Sequence, residues 1–279
     1  MIETLIKSGV KKMSPYVCAR HLAQTGVLLD ANENAYGSVV KSEFARNLNR
    51  YPDPSSEALR TKLAEYVGVG KESICVGAGS DELIDLLIRI FVEADEEVVL
   101  LEPTYGMYRV AAEVNGVRAK MCRLTEKFEV DFAELQKTIT QKTKMIFCAS
   151  PNNPTGNRLK TTTILKMCKS FRGVVVLDEA YVEFSTRPSL TPLTKKFENL
   201  VILRTFSKAW GLAGVRLGYC IAAPEVLKYM NKIKLPYNVS RLASEIGIRA
   251  LGAQKKLALV VQKTRKERNR VKQIGRAHV

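Results

Sequence analysis

Between Ser73 and Ala222 short β-branched runs alternate with segments of helical period, and few folds accept that rhythm. The runs are SICVG, EVVLL, RAKMC, KMIFCAS, GVVVLDEA, LVILRT and LGYCIA. Their apolar continuity reads as strands buried on both faces, as in a mostly parallel sheet. Between them SDELIDLLIRIF, TYGMYRVAAEV, DFAELQKTI and LKTTTILKMCKSF read as helices, with Ser80 and Asp131 as N-caps. The fold class expected is therefore α/β, a mostly parallel seven-stranded sheet flanked by helices.

An irregular arm, residues 1–35, precedes a large domain expected over 36–237. From 238 to 273 two helical stretches broken at Gly252 read as linking helices and the start of an incomplete small domain. The last residues, IGRAHV, can be back-translated into the end of a widely used sequencing adapter. Ile274–Val279 are thus expected to be a processing scar on a C-terminally truncated chain.

The 279 residues carry 46% hydrophobic and 26% charged side chains, the balance of an ordinary globular protein. No apolar run approaches the roughly eighteen residues that span a bilayer, and the opening MIETLIKSGVKK lacks a signal-peptide core, so a cytoplasmic location is expected, with no membrane partner. The six cysteines form no C-x-x-C pair and read as buried thiols; the two histidines leave little material for a metal site or a serine–histidine mechanism. The net charge of +16 peaks in KTRKERNRVK, but without interleaved aromatics this reads as a solvated face, and nucleic acid is not the expected partner. An anionic substrate or cofactor uses positive potential equally well.

Chemistry-bearing residues gather at successive strand ends, where open α/β sheets bind ligands. VGAGSDE leaves a strand and opens a helix, but Glu82 stands where a dinucleotide fingerprint has its third glycine. What survives is a helix start suited to phosphate at Ser80 and Asp81, or simply a capped helix. GVGKES resembles a P-loop without its first glycine or the hydroxyl after its lysine, and is set aside. SPNNPTGN ends a strand in a constrained turn that presents the Asn153 amide. Asp178 ends the next strand, three residues before Tyr181; buried, it needs a cationic or hydrogen-bonding partner, and a protonated pyridine nitrogen would serve, whereas at an exposed strand end it would be a cap. In RTFSKAWGLAGVRLGY, Lys208 is an amine suited to attack a carbonyl carbon, flanked by Ser207 and Arg216, both suited to a phosphate. Singly each motif has an ordinary structural explanation. In combination they suit an aromatic aldehyde phosphate, pyridoxal 5′-phosphate.

With NRYPDP, GAGSDELIDLLIR, EPTYGMY, SPNNPTG, LDEAYVEF and RTFSKAWGLAGVRLGY in place, the chain resembles the fold-type I pyridoxal-phosphate aminotransferases, most closely the histidinol-phosphate aminotransferase family. The resemblance implies that Lys208 is the Schiff-base lysine and proton shuttle, that Asp178 holds the pyridinium nitrogen, and that Tyr181 and Asn153 bond the ring hydroxyl. It implies further that Tyr105 stacks on the ring, that Ser80, Asp81, Ser207 and Arg216 hold the phosphate, and that Tyr51 reaches the cofactor of a neighbouring subunit in a homodimer. Tyr16 and Asn32 would line the substrate side, with small-molecule amino and keto acids as substrates and histidinol phosphate and 2-oxoglutarate as the pair. Ala35 replaces the proline usual in NENPYG, and the arginines that grip the substrate acid lie in the small domain expected to be missing. An aromatic aminotransferase, a threonine-phosphate decarboxylase or a non-catalytic basic binding protein on the same scaffold are the alternatives.

Overall fold

In the computed structural model, which describes residues 2–12, 43 and 47–277, the seven apolar runs form one sheet. The strands are β1 (Ile74–Gly77), β2 (Glu97–Glu102), β3 (Arg118–Arg123), β4 (Thr143–Ala149), β5 (Val174–Asp178), β6 (Leu200–Thr205) and β7 (Gly218–Ile221). Their order is β1-β7-β6-β5-β4-β2-β3. Strands β2 to β6 run parallel, and β7 runs against both its neighbours, β1 and β6. The helices are α1 (Ile2–Leu5), α2 (Ser8–Lys12), α3 (Glu57–Val67), α4 (Ser80–Phe91), α5 (Met107–Val114), α6 (Phe132–Thr138), α7 (Thr161–Ser170), α8 (Pro224–Ile233), α9 (Arg241–Leu251) and α10 (Gln254–Ala277).

The apolar continuity of six strands is explained by a core on each face; β3 departs from the expected burial, since it lies at the sheet edge with Arg118 and Arg123 exposed and only Cys122 buried. Met145 and Phe147 of β4 pack with Leu83, Leu87 and Phe91 of α4, while the intervening Ile146 and Cys148 pack with Leu59 and Leu63 of α3 and Ile164 and Met167 of α7. Each such buried side chain contributes about 1.5–3 kcal/mol. Asp131 caps α6 as expected, accepting from Ala133 N–H at 2.8 Å and Glu134 N–H at 3.3 Å. Ser80 does not cap α4. The cap is Gly79, at φ +85°, and Ser80 is the first helical residue. The chain reverses from β1 into α4 so tightly that it needs the positive φ open to glycine, and the Glu82 carboxylate accepts Ala78 N–H at 2.6 Å from one turn inside. Cys75, Cys122, Cys148, Cys168 and Cys220 are buried free thiols, and no helix among the described residues is long and apolar enough to cross a membrane.

Candidate active site

The carboxyl ends of β4, β5 and β6, the start of α4 and the turn before β7 surround a cleft of about 550 Å³. Ser80, Asp81, Tyr105, Asn153, Asp178, Tyr181, Ser207, Lys208 and Arg216 all line it. These residues span 137 positions of sequence, Ser80 to Arg216, and the parallel order of the strands brings them to one edge. Tyr51 does not reach this cleft within the single chain: it is 48% exposed, its ring stacked on Tyr237 with centroids 4.5 Å apart. Tyr16, Asn32 and Ala35 lie outside the described residues.

Asp178 forms the floor. It is buried, accepts Ala180 N–H at Oδ1 (2.8 Å) and the Tyr108 hydroxyl at Oδ2 (2.7 Å), and burial pushes its carboxyl above the usual carboxylate range. Two donors leave lone-pair capacity on the carboxylate for a third. Tyr108, itself buried and stacked on Phe147, is held well above the ordinary phenol range by burial and by Asp178. Sequence reasoning chose Tyr105 and missed Tyr108; the signal available was their i, i+3 spacing in EPTYGMY, which puts both rings on one side of the chain entering α5.

The opposite wall is a set of donors. Arg216 Nη2 donates to Asp81 Oδ2 at 3.1 Å and Tyr105 Oη donates to Asp81 Oδ1 at 3.2 Å; burial and the neighbouring Asp81 carboxylate push the Tyr105 phenol up to about 12. Arg216 takes the left-handed conformation at φ +53°, a costly choice for a non-glycine residue that turns its guanidinium beside Gly79. Ser207 N–H donates to Thr205 Oγ1 at 3.1 Å, which orients the loop between β6 and Lys208. Lys208 is exposed to the cleft, its Nζ 5.4 Å from the centre of the Tyr181 ring. Asn152 serves structure: its amide donates to Pro103 O and Thr155 Oγ1, each at 2.8 Å, leaving Asn153 to face the cleft.

The donor set fits pyridoxal phosphate. Uncapped N–H groups at the start of α4, the Ser207 hydroxyl and the Arg216 guanidinium suit its phosphate, and Asp178 suits its protonated ring nitrogen. Asn153 and Tyr181 line the same cleft with an amide and a phenol able to bond a ring hydroxyl, and Lys208 offers an amine able to react with an aldehyde. No cluster of residues able to hold a metal occurs among the described residues.

Comparison with known proteins points the same way. The family described as aminotransferase class I and II matches residues 24–276. A histidinol-phosphate aminotransferase of Parabacteroides distasonis is 42% identical over 276 residues, 98% of this chain and 78% of that protein. One of Cytophaga hutchinsonii is 40% identical, covering 90% of this chain and 72% of the relative. The solved structure of histidinol-phosphate aminotransferase from Sinorhizobium meliloti, in complex with pyridoxal 5′-phosphate, superposes with a TM-score of 0.76 at 28% identity, over 86% of this chain and 68% of that one.

Proposed function

The chain belongs to the class I and II aminotransferases, and on that premise we propose that it moves the amino group of histidinol phosphate to 2-oxoglutarate in histidine biosynthesis, with pyridoxal 5′-phosphate held in the cleft described. The carrying observation is the convergence of Lys208, Asp178 and Arg216 on one cleft, with the substrate taken from relatives about 40% identical. When bound, the cofactor supplies an aldehyde for the amine and a ring that spreads the negative charge left by proton removal. The chain's own groups set the conditions. Asp178, in its buried site, favours a positively charged ring nitrogen, because a cation there relieves an otherwise unpaired buried carboxylate. Tyr108 and Ala180 N–H hold that carboxylate in place.

Arg216, Ser207 and the α4 N-terminus bind the phosphate and thereby set the position of the ring. Lys208, in the same cleft as Asp178, would serve as the general base and acid that moves the substrate proton. Tyr105, on the cleft wall, would cover a face of the bound ring and exclude water. For the subunit interface we infer a homodimer, in which the exposed Tyr51 contributes to the partner's cleft; a cytoplasmic location accords with such a reaction.

The test is spectroscopic. Incubated with pyridoxal phosphate, the protein is expected to turn yellow and Lys208→Ala to stay colourless. Adding histidinol phosphate without a keto acid should then bleach the band. A colourless wild type would overturn the reading, and a band that glutamate bleaches but histidinol phosphate does not would assign the cleft to another amino substrate.

A further inference from the structure

Arg204 is out of place by the rules that build its strand. It is the penultimate residue of β6, among Leu200, Val201, Ile202 and Leu203, and only 6% exposed. While Thr205 lines the cleft, Arg204 packs on the other side of the sheet, its guanidinium 5.4 Å from the centre of the Tyr66 ring and 5.8 Å from that of Tyr219. There Nη2 donates to Glu183 Oε1 at 2.6 Å, and both side chains are almost wholly buried. Glu179, Tyr66 and Tyr219 are the other titratable groups around it.

Stability is a weak reason for such a pair, since burial strips both charges of water and an apolar pair of similar size often holds a fold as well. Arg204 Nε, moreover, finds no hydrogen-bond partner among the described residues. Position supplies a better reason. Glu183 follows Tyr181 by two residues, in the single turn Val182–Phe184, and Arg204 precedes Lys208 by four. The ion pair therefore ties the turn carrying Tyr181 to the loop carrying Lys208. From outside, Arg265 of α10 donates to Phe184 O at 3.1 Å, to Glu183 O at 3.2 Å and to Ser185 O, clamping the same turn.

We propose that Arg204 and Glu183 are positioning residues: they hold the Tyr181 turn against the Lys208 loop, so that ring and amine meet the cofactor in one geometry, with Arg265 bracing the turn from α10. This rests on the reading that the cleft binds pyridoxal phosphate through Lys208. Neither side chain touches the cleft, so both act through Tyr181 and Lys208.

The test uses Arg204→Met/Glu183→Met, which removes both charges and leaves neither unpaired. Three quantities are read: the thermal midpoint without cofactor, the Kd for pyridoxal phosphate, and the pH at which the bound cofactor's absorbance band changes. The expected result is an unchanged or higher midpoint together with a Kd raised about tenfold and a displaced spectral pH, since small misplacements at such sites are costly. Glu183→Gln, of the same size and still able to accept from Arg204, is the second arm, with shifts expected in the same direction. Wild-type Kd and wild-type spectral titration in whichever of these folds would overturn the proposal. Absence of any band in the wild type would instead defeat the underlying reading of the cleft.

Discussion

Asp178 combines a functional demand with a cost to the fold. Burial raises its folded pKa above the unfolded value, so the stability it contributes is fully present below the ordinary carboxylate range and is lost as pH rises through the folded value. The cofactor-free protein buries a carboxylate answered by only one phenol and one amide. Asp178→Asn keeps the shape and an acceptor but removes the charge. Without cofactor, its thermal midpoint at pH 8 should lie above that of the wild type, by about 2–4 °C for each ~1 kcal/mol relieved, and the difference should shrink toward pH 4. Its affinity for pyridoxal phosphate should fall, a lost charged hydrogen bond being worth about 1.5–3 kcal/mol. A midpoint below wild type at pH 8 would show that the carboxyl group is better satisfied than its two donors indicate.

At the scale of elements, β7 packs closely against the start of α4, the part of the cleft proposed to seat the phosphate. A Cβ at Gly218 would stand 2.5 Å from Ser80 N and 2.6 Å from Gly79 C, both backbone atoms, so one element would have to move. Gly218→Ala should destabilise the fold by about 1–3 kcal/mol and also weaken cofactor binding, because the N–H groups proposed to seat the phosphate would shift with the helix. Gly214→Ala, whose added Cβ meets nothing within 4 Å, is the matched control. Calorimetry and a cofactor titration on both variants check this, and equal affinity in the two would refute the link between that contact and the phosphate seat. The same scale shows how far sequence carried. Six strands were legible because each is a continuous apolar run, and the edge strand β3, with only Cys122 buried, by its place in the alternation. Asp178, Asn153 and Lys208 were legible because they lie at or just past the carboxyl ends of β5, β4 and β6, and Arg216 because it stands in the turn before β7. Gly79 replaced Ser80 as the cap because backbone reversal, not side-chain type, decides that position. Tyr108 and Arg204 escaped because what makes them matter, Asp178 and Glu183, lies 70 and 21 residues away in sequence. Tyr51 offers a single chain no contact with the cleft to read.

For the molecule as a whole, the cleft is where separate parts of the chain meet with little to hold them together. The turns after β1, β4, β5 and β6 and the turn before β7 each contribute residues, and across the cleft the prominent links are Arg216 to Asp81, Tyr105 to Asp81 and Tyr108 to Asp178. A dianionic ligand bonded to several of these turns at once binds the folded form and not the unfolded chain, whose matching groups are scattered. The net charge of +16 favours its approach. By mass action, pyridoxal phosphate at a hundred times its Kd should add about 2.7 kcal/mol of stability, which for a chain of this size corresponds to a rise of roughly 5–10 °C in thermal midpoint. Lys208→Ala, which keeps the phosphate seat and Asp178 but loses the amine, should show a smaller rise at the same concentration. Scanning both proteins with and without the cofactor separates the contributions: an equal rise in both would mean that phosphate and ring contacts alone secure the ligand. No rise in a wild type that nonetheless turns yellow would mean that lysines outside the cleft, and not Lys208, take up the cofactor.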